Sequence, residues 1–303
     1  MDLRTWNHRV VEVEPSVRIA YIDCPPRSKK SQRGVILLIH GFPQTSYQFR
    51  HVINPLAEAG YRVLAPDYRG AGASSKPATG FTKSVMARDL VRLLDTLEIN
   101  EPVHVIGHDI GGMIAFAMAA KHPSRVASLN WGECPLPGTT AYVEDRTTHA
   151  VQQFHFIFHC VSDLALALVA GRERIYLSHF FNKLAYNTAA IKSEDLDHYV
   201  ECYEQPGAMR CAFEVYRMFE QDAIECKEWI SSYGKLSVPA VCLSGDKSRH
   251  IDAAGKMSAE VHQKGTCDVV AVPDAAHYIA EENPEGFVKE ALRLIERATG
   301  GAK

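Results

Sequence analysis

No stretch of this sequence is apolar over the roughly 20 residues that a bilayer-spanning helix needs, so no such helix is expected. Its eight cysteines never fall at C-x-x-C spacing, so neither a zinc site nor a disulfide framework is indicated. Charge of either sign is not in excess. A formal net charge of -3 gives no reason to expect nucleic acid or an anionic membrane as partner. Internal repeats and low-complexity tracts are lacking as well. The opening residues, Met1 to Val10, are polar and mixed in charge, without the apolar core of a secretory leader. Together with the unpaired cysteines they predict a cytoplasmic protein.

What is present is an ordinary globular balance, 46% hydrophobic and 23% charged over 303 residues, enough for one large domain with or without an insertion. Apolar, β-branched runs read as buried parallel strands at 35–40, 62–67, 103–109, 126–132, 240–245 and 268–273. Between the early runs lie helical patterns, such as Val85 to Leu97. Alternating strand and helix predicts an α/β fold, with a mostly parallel central sheet flanked by helices. Val10 to Asp23 alternates more loosely and reads as an antiparallel edge hairpin. From Pro135 to Trp229 the strand pattern stops, and the segment is helical in character and rich in aromatics and histidines. It reads as a cap inserted between two sheet strands, giving core 1–134, cap 135–229 and core 230–303. Loops at the carboxyl ends of parallel strands form the ligand crevice, so such a cap would roof it.

The most informative stretch is Val103-His104-Val105-Ile106-Gly107-His108-Asp109-Ile110-Gly111-Gly112. A strand enters a tight glycine turn and a helix of small residues leaves it, which is the setting of the G-x-S-x-G nucleophile elbow with Asp109 in place of serine. An aspartate after a glycine turn can also be a simple helix N-cap. As a nucleophile, its chemistry differs from that of serine. A carboxylate attacking acyl carbon would give an anhydride. Its natural target is an sp³ carbon bearing a leaving group, on which it forms an alkyl ester. The substitution therefore points to epoxide or carbon–halogen cleavage.

His40-Gly41-Phe42-Pro43, Asp67-Tyr68-Arg69-Gly70-Ala71-Gly72, the elbow, and Ala276-His277 follow one another in an order that resembles the α/β-hydrolase superfamily over nearly the whole chain. The aspartate is similar to those of epoxide hydrolases and haloalkane and haloacetate dehalogenases. Phe154-His155-Phe156 and Phe213-Glu214-Val215-Tyr216-Arg217 resemble the Cif-like epoxide hydrolases. The resemblance implies an inserted helical cap and a vicinal-diol product, with no metal or organic cofactor. It makes His277 the general base for water and the backbone amides of Phe42 and Ile110 the oxyanion hole, and it implies a cis peptide before Pro43. It makes His155 and Tyr216 the donors to the epoxide oxygen, although His159 competes with His155 by helical spacing. Phe42 and Phe156, with Phe154, Phe158, Phe180 and Tyr176, are expected to line an apolar pocket, which favours an apolar epoxide.

One departure concerns the acid. The usual G-x-x-D reads Gly245-Asp246-Lys247-Ser248 here, so serine occupies the acid's place. Glu133, in Asn130-Trp131-Gly132-Glu133, is the preferred partner for His277, with Asp246 the alternative. The fluoroacetate dehalogenases are the nearest rivals. They resemble this chain in the relocated acid and the cap His–Tyr pair. Their two arginines that clamp the substrate carboxylate correspond here to Ile110 and Met113, and their cap His-Trp reads His155-Phe156. Haloalkane dehalogenases carry a tryptophan where this chain has Ile110. A non-catalytic binding protein on the same fold is the alternative from another class. A homodimer is an option under the resemblance that no residue pattern establishes.

Overall fold

The computed structural model describes residues 6–27 and 33–300. An eight-stranded sheet runs through it: β1 (Asn7–Glu14), β2 (Val17–Cys24), β3 (Val35–Ile39), β4 (Arg62–Pro66), β5 (Val103–Gly107), β6 (Val126–Trp131), β7 (Ala240–Gly245) and β8 (Cys267–Val272). The spatial order is β1-β2-β4-β3-β5-β6-β7-β8, with β2 antiparallel to both neighbours and every other pairing parallel. The edge hairpin and the parallel core thus match the sequence pattern. The last strand departs from it. β8 was expected to be buried, yet most of its residues are exposed or half-exposed, because it closes the sheet and has a strand on one side only.

Each parallel strand is joined to the next by helix. α1 (Ile53–Glu58) and α2 (Lys83–Thr96) follow β3 and β4, and α3 (Ile110–Lys121) follows β5. α2 buries Met86, Leu90, Leu93 and Leu94, a 3.6-period stripe laid on the sheet. α3 is apolar and small-sided on nearly every face, which suits a helix wedged between sheet and neighbours. After β7 come α11 (His250–Val261), then α12 (Ile279–Glu282) and α13 (Pro284–Ala298). Between β6 and β7 lie seven helices: α4 (Thr140–Arg146), α5 (His155–Phe158), α6 (Ser162–Val169), α7 (Glu173–Leu184), α8 (Ser193–Tyr203), α9 (Ala208–Arg217) and α10 (Phe219–Tyr233). α10 carries one helical turn past Trp229, where the pattern in the sequence ended. Among the described residues no helix is long and apolar enough to cross a membrane.

β3 lies between β4 and β5, so the chain leaves it in both directions along the sheet. The carboxyl ends of β3 and β5 sit side by side at this switch point, with Ile39 in register with Gly107. The loops after β3, β5, β6, β7 and β8 therefore open on one edge, beneath the inserted helices.

A buried charge network ties insertion to core beside this edge. Arg50 lies 2.8 Å from Glu281 of α12 and 3.0 Å from Asp195 of α8. Tyr199 donates to Glu281 at 2.5 Å and Gln44, from the loop after β3, donates to the same oxygen at 2.7 Å. Breaking a buried pair leaves an uncompensated charge, which costs about 3–5 kcal/mol. Arg50→Met should lower the unfolding free energy by about that amount in urea denaturation, and Arg50→Met/Glu281→Met should recover part of the loss. A change below about 1 kcal/mol for the single variant would contradict this role.

Candidate active site

The elbow explains its own sequence. Asp109 adopts φ 54°, a left-handed backbone that few side chains accept. The turn is so tight that a Cβ on Gly111 would fall on the Ile39 carbonyl oxygen. Asp109 Oδ1 accepts from the Phe42 amide at 2.9 Å, and the Ile110 amide also hydrogen-bonds this carboxylate. The two amides expected to form an oxyanion hole thus both reach the Asp109 carboxylate. The Phe42–Pro43 peptide is cis. Burial lifts the Asp109 carboxyl above its usual range, opposed by the His277 charge and these two amides.

His277 follows β8 on the loop facing the elbow. Its Nδ1 lies 3.0 Å from Glu133 Oε2. Glu133 is fully held: Oε1 accepts from the Gly245 amide at 2.9 Å and Oε2 from the Ser248 hydroxyl at 2.7 Å. Asp246, the alternative acid, is on the surface and pairs with Lys247 at 2.9 Å. Ser248 therefore donates to the relocated carboxylate from the place where an acid was expected. That role was missed in the sequence, although a hydroxyl standing at the acid's position was its signal. His108 was missed too. Its Nε2 lies 2.6 Å from the His277 carbonyl and fixes the loop carrying the imidazole.

His250 completes a group with Glu133 and His277 whose donor atoms lie within 4.8 Å of one another, the residue types of a zinc site. Both Glu133 oxygens are already engaged by protein donors, so the group fits a hydrogen-bonded acid–base pair better than a ligand set. Burial drives His250 down to about 4 against the pull of Glu133, which leaves it neutral at pH 7.

Helices α5, α7 and α9 supply a wall of rings over Asp109. Phe42 meets His159, Phe180 and Tyr216 edge-on, with centroids 5.4 to 5.6 Å apart. His155 stands 5.5 Å from the Tyr216 ring, and its Nδ1 has no hydrogen-bond partner among the described residues. Its competitor His159 is closer to Tyr216, at 4.4 Å, but its Nε2 is engaged with the Tyr176 hydroxyl at 2.5 Å. Phe156 packs behind Tyr216 at 5.7 Å. Burial drives His155 down to about 3, so it is a neutral imidazole whose N–H can only hydrogen-bond. Burial and then the Asp109 charge push the Tyr216 phenol well above its usual value, so it keeps its proton. Ile110 and Met113 are both buried, and neither brings a cation to the carboxylate.

Residues 34–130 match the family model described as "alpha/beta hydrolase fold". The soluble epoxide hydrolase of Corynebacterium sp. (strain C12) is 33% identical over 86% of this chain and 89% of its own length. Epoxide hydrolase A of Mycobacterium tuberculosis is 28% identical over 88% of this chain and 90% of its own. Among solved structures, the epoxide hydrolase CorEH superposes with a TM-score of 0.83 at 29% identity, covering 96% of this chain and 99% of that one. Cfl2 from Burkholderia cenocepacia also gives 0.83, at 28% identity and 95% of each chain. The chain belongs to the α/β-hydrolase family. It is a hydrolase.

Burial pulls His277 down, but the Glu133 hydrogen bond and charge, with the Asp109 charge, outweigh it and hold the imidazole above its usual 6.5. An NMR titration, with the signal assigned by a His277 variant, should place this residue above 6.5. Glu133→Gln removes the charge and should move it downward, whereas Asp246→Asn should leave it in place. An unmoved His277 in Glu133→Gln would remove Glu133 from the pair.

Proposed function

We propose that the protein opens an epoxide to a vicinal diol through an alkyl ester on Asp109. The observation that carries this reading is a carboxylate at the elbow, hydrogen-bonded by the Phe42 and Ile110 amides, with a buried phenol in the ring wall above it. The 33% identical relative is named a soluble epoxide hydrolase, which supports the same reaction class.

In the first half-reaction Asp109 attacks an oxirane carbon in line, and the carbon–oxygen bond breaks toward the cap. The departing alkoxide is strongly basic and needs an acid. Tyr216, which keeps its proton, gives it up to that oxygen, while neutral His155 donates a hydrogen bond. In the second, neutral His277 takes a proton from water as the water oxygen adds to the Asp109 carboxyl carbon. The Phe42 and Ile110 amides hold the resulting oxyanion. Collapse expels the diol alkoxide, which takes the second water proton from the Asp109 carboxyl and so restores the carboxylate, and the proton on His277 returns to the Tyr216 phenolate by way of solvent. Glu133 orients the imidazole and stabilises its charged form. The aromatic wall supports an apolar substrate, and the helices of 135–229 act as the cap that excludes water from the ring-opening step.

A haloacid substrate has less support. It would need cations for its carboxylate, and the positions next to Asp109 are Ile110 and Met113. His277→Gln should trap the ester, because water is then left without its base. Intact-mass spectrometry after reaction with a panel of epoxides should find Asp109 heavier by the whole mass of the epoxide, since ring opening loses no atoms. No adduct across that panel would overturn the reading. Halide release from haloacetates, with the correspondingly smaller mass gain, would transfer it to dehalogenation.

A further inference from the structure

A lysine ammonium in the interior is costly unless it is paired and hydrogen-bonded. Lys83 opens α2 and is only 3% exposed. Its Nζ lies 2.6 Å from Asp222 Oδ2 and donates to the Val215 carbonyl at 2.9 Å, and it stands 4.7 Å from the centre of the Phe219 ring. The other Asp222 oxygen accepts from the Lys83 backbone amide at 2.8 Å. Nothing in the periodicity announced this pair, and a cation in the first turn of a helix opposes the macrodipole. The lysine is placed for what it reaches, not for α2.

What it reaches is the segment that carries Tyr216. Val215 is its neighbour in the last turn of α9, and its carbonyl is among the four that a helix leaves unpaired at its end. A cation there is favoured by the dipole of α9. Phe219 packs on the Tyr216 ring at 4.9 Å and on Phe156 at 5.3 Å. Asp222 lies in the first turn of α10, which follows directly. A side chain from the sheet side thus holds the cap helix by its carboxyl end, at the residue preceding the phenol. An apolar pair of similar volume could fill the same space at little or no cost in stability. It could not replace the hydrogen bond to Val215.

We propose that Lys83, locked by Asp222, is a positioning residue that sets the Tyr216 hydroxyl for proton delivery to the opening epoxide. This rests on the function proposed above. Tyr216 gives up its proton in the alkylation half-reaction and His277 acts as base in the hydrolytic one, so the two roles separate in time. Displacing a reacting group by about 1 Å can cost on the order of 10²-fold in rate.

Rapid-quench mass spectrometry with styrene oxide as probe reads both half-reactions, as the rise and the decay of the Asp109 adduct. Lys83→Met/Asp222→Leu should slow the rise by about 10-fold or more, with the decay changed by less than about twofold. In a Tyr216→Phe background the same pair should add little, because both changes remove one function. These single-turnover rates do not depend on the fraction of protein folded. Asp222→Asn, a milder variant that keeps the lysine, should slow the rise less than the double variant and spare the decay. An unchanged rise, equal slowing of rise and decay, or effects that multiply with Tyr216→Phe would each overturn the proposal. Absence of any wild-type adduct would overturn the underlying function and this proposal with it. A normal wild-type adduct with an unchanged rise in the variants would overturn the positioning role alone.

Discussion

The site depends on a backbone conformation that an aspartate adopts only under constraint. Asp109 sits at φ 54°, an arrangement that costs on the order of 1–3 kcal/mol for a residue with a Cβ. The sheet holds it there, with the chain running in along β5 and out along α3 and glycines at 107 and 111 where backbones press together. The same device recurs one strand over. Glu133 also has φ 54°, and Ile106 is in register with Asn130, so the two acids stand three residues beyond paired positions. The Asp109 amide donates to the Gly132 carbonyl at 3.1 Å, joining the two turns. The proposed nucleophile and its proposed acid are presented by adjacent, matching bends.

Electrostatics then sort the buried groups into charged and neutral sets. The His277 charge favours the ionised form of Asp109, and the charges of Glu133 and Asp109 favour the ionised form of His277. The histidines above them, His155 and His159, are stripped of charge by burial. A cap lined with imidazolium would neutralise the nucleophile before a substrate arrived. Neutral imidazoles and a protonated phenol leave its charge intact and still offer hydrogens to an incoming oxygen.

The sheet was legible in the sequence because burial on both faces writes continuous apolar runs, and β3, β5 and β7 lie where those runs lie. β8 read as buried because its valines look the same at an edge as in the middle, and strand order is not written in composition. At the candidate site, Asp109 and His277 stood out in the sequence through their local settings. Glu133 was reachable by noticing that Ser248 could not serve as the acid. The companion roles were not visible. Ser248, His108 and Lys83 act across 115, 169 and 132 residues of chain respectively, on partners that only the fold brings near. Local pattern identifies residues that do chemistry by type. It has no access to those that act by reaching.

The hydrogen bond between His277 and Glu133 spans 144 positions of the chain, and every helix inserted between β6 and β7 lies inside that span. Considered as a knot in a string, the bond closes a single large loop that holds the inserted helices together with β7, α11 and β8. Asp109 and the Phe42 and Ile110 amides precede this span, and Glu133 and His277 are its two ends. Loop closure of this length adds little to the entropy cost of the native state but makes the contact one of the most non-local in the molecule. Under the proposed mechanism, a chain emerging from the ribosome carries Asp109 and then Tyr216, the groups for alkylation, before it carries His277, the base that would free the ester. On that proposal, release of the ester waits until this loop is tied.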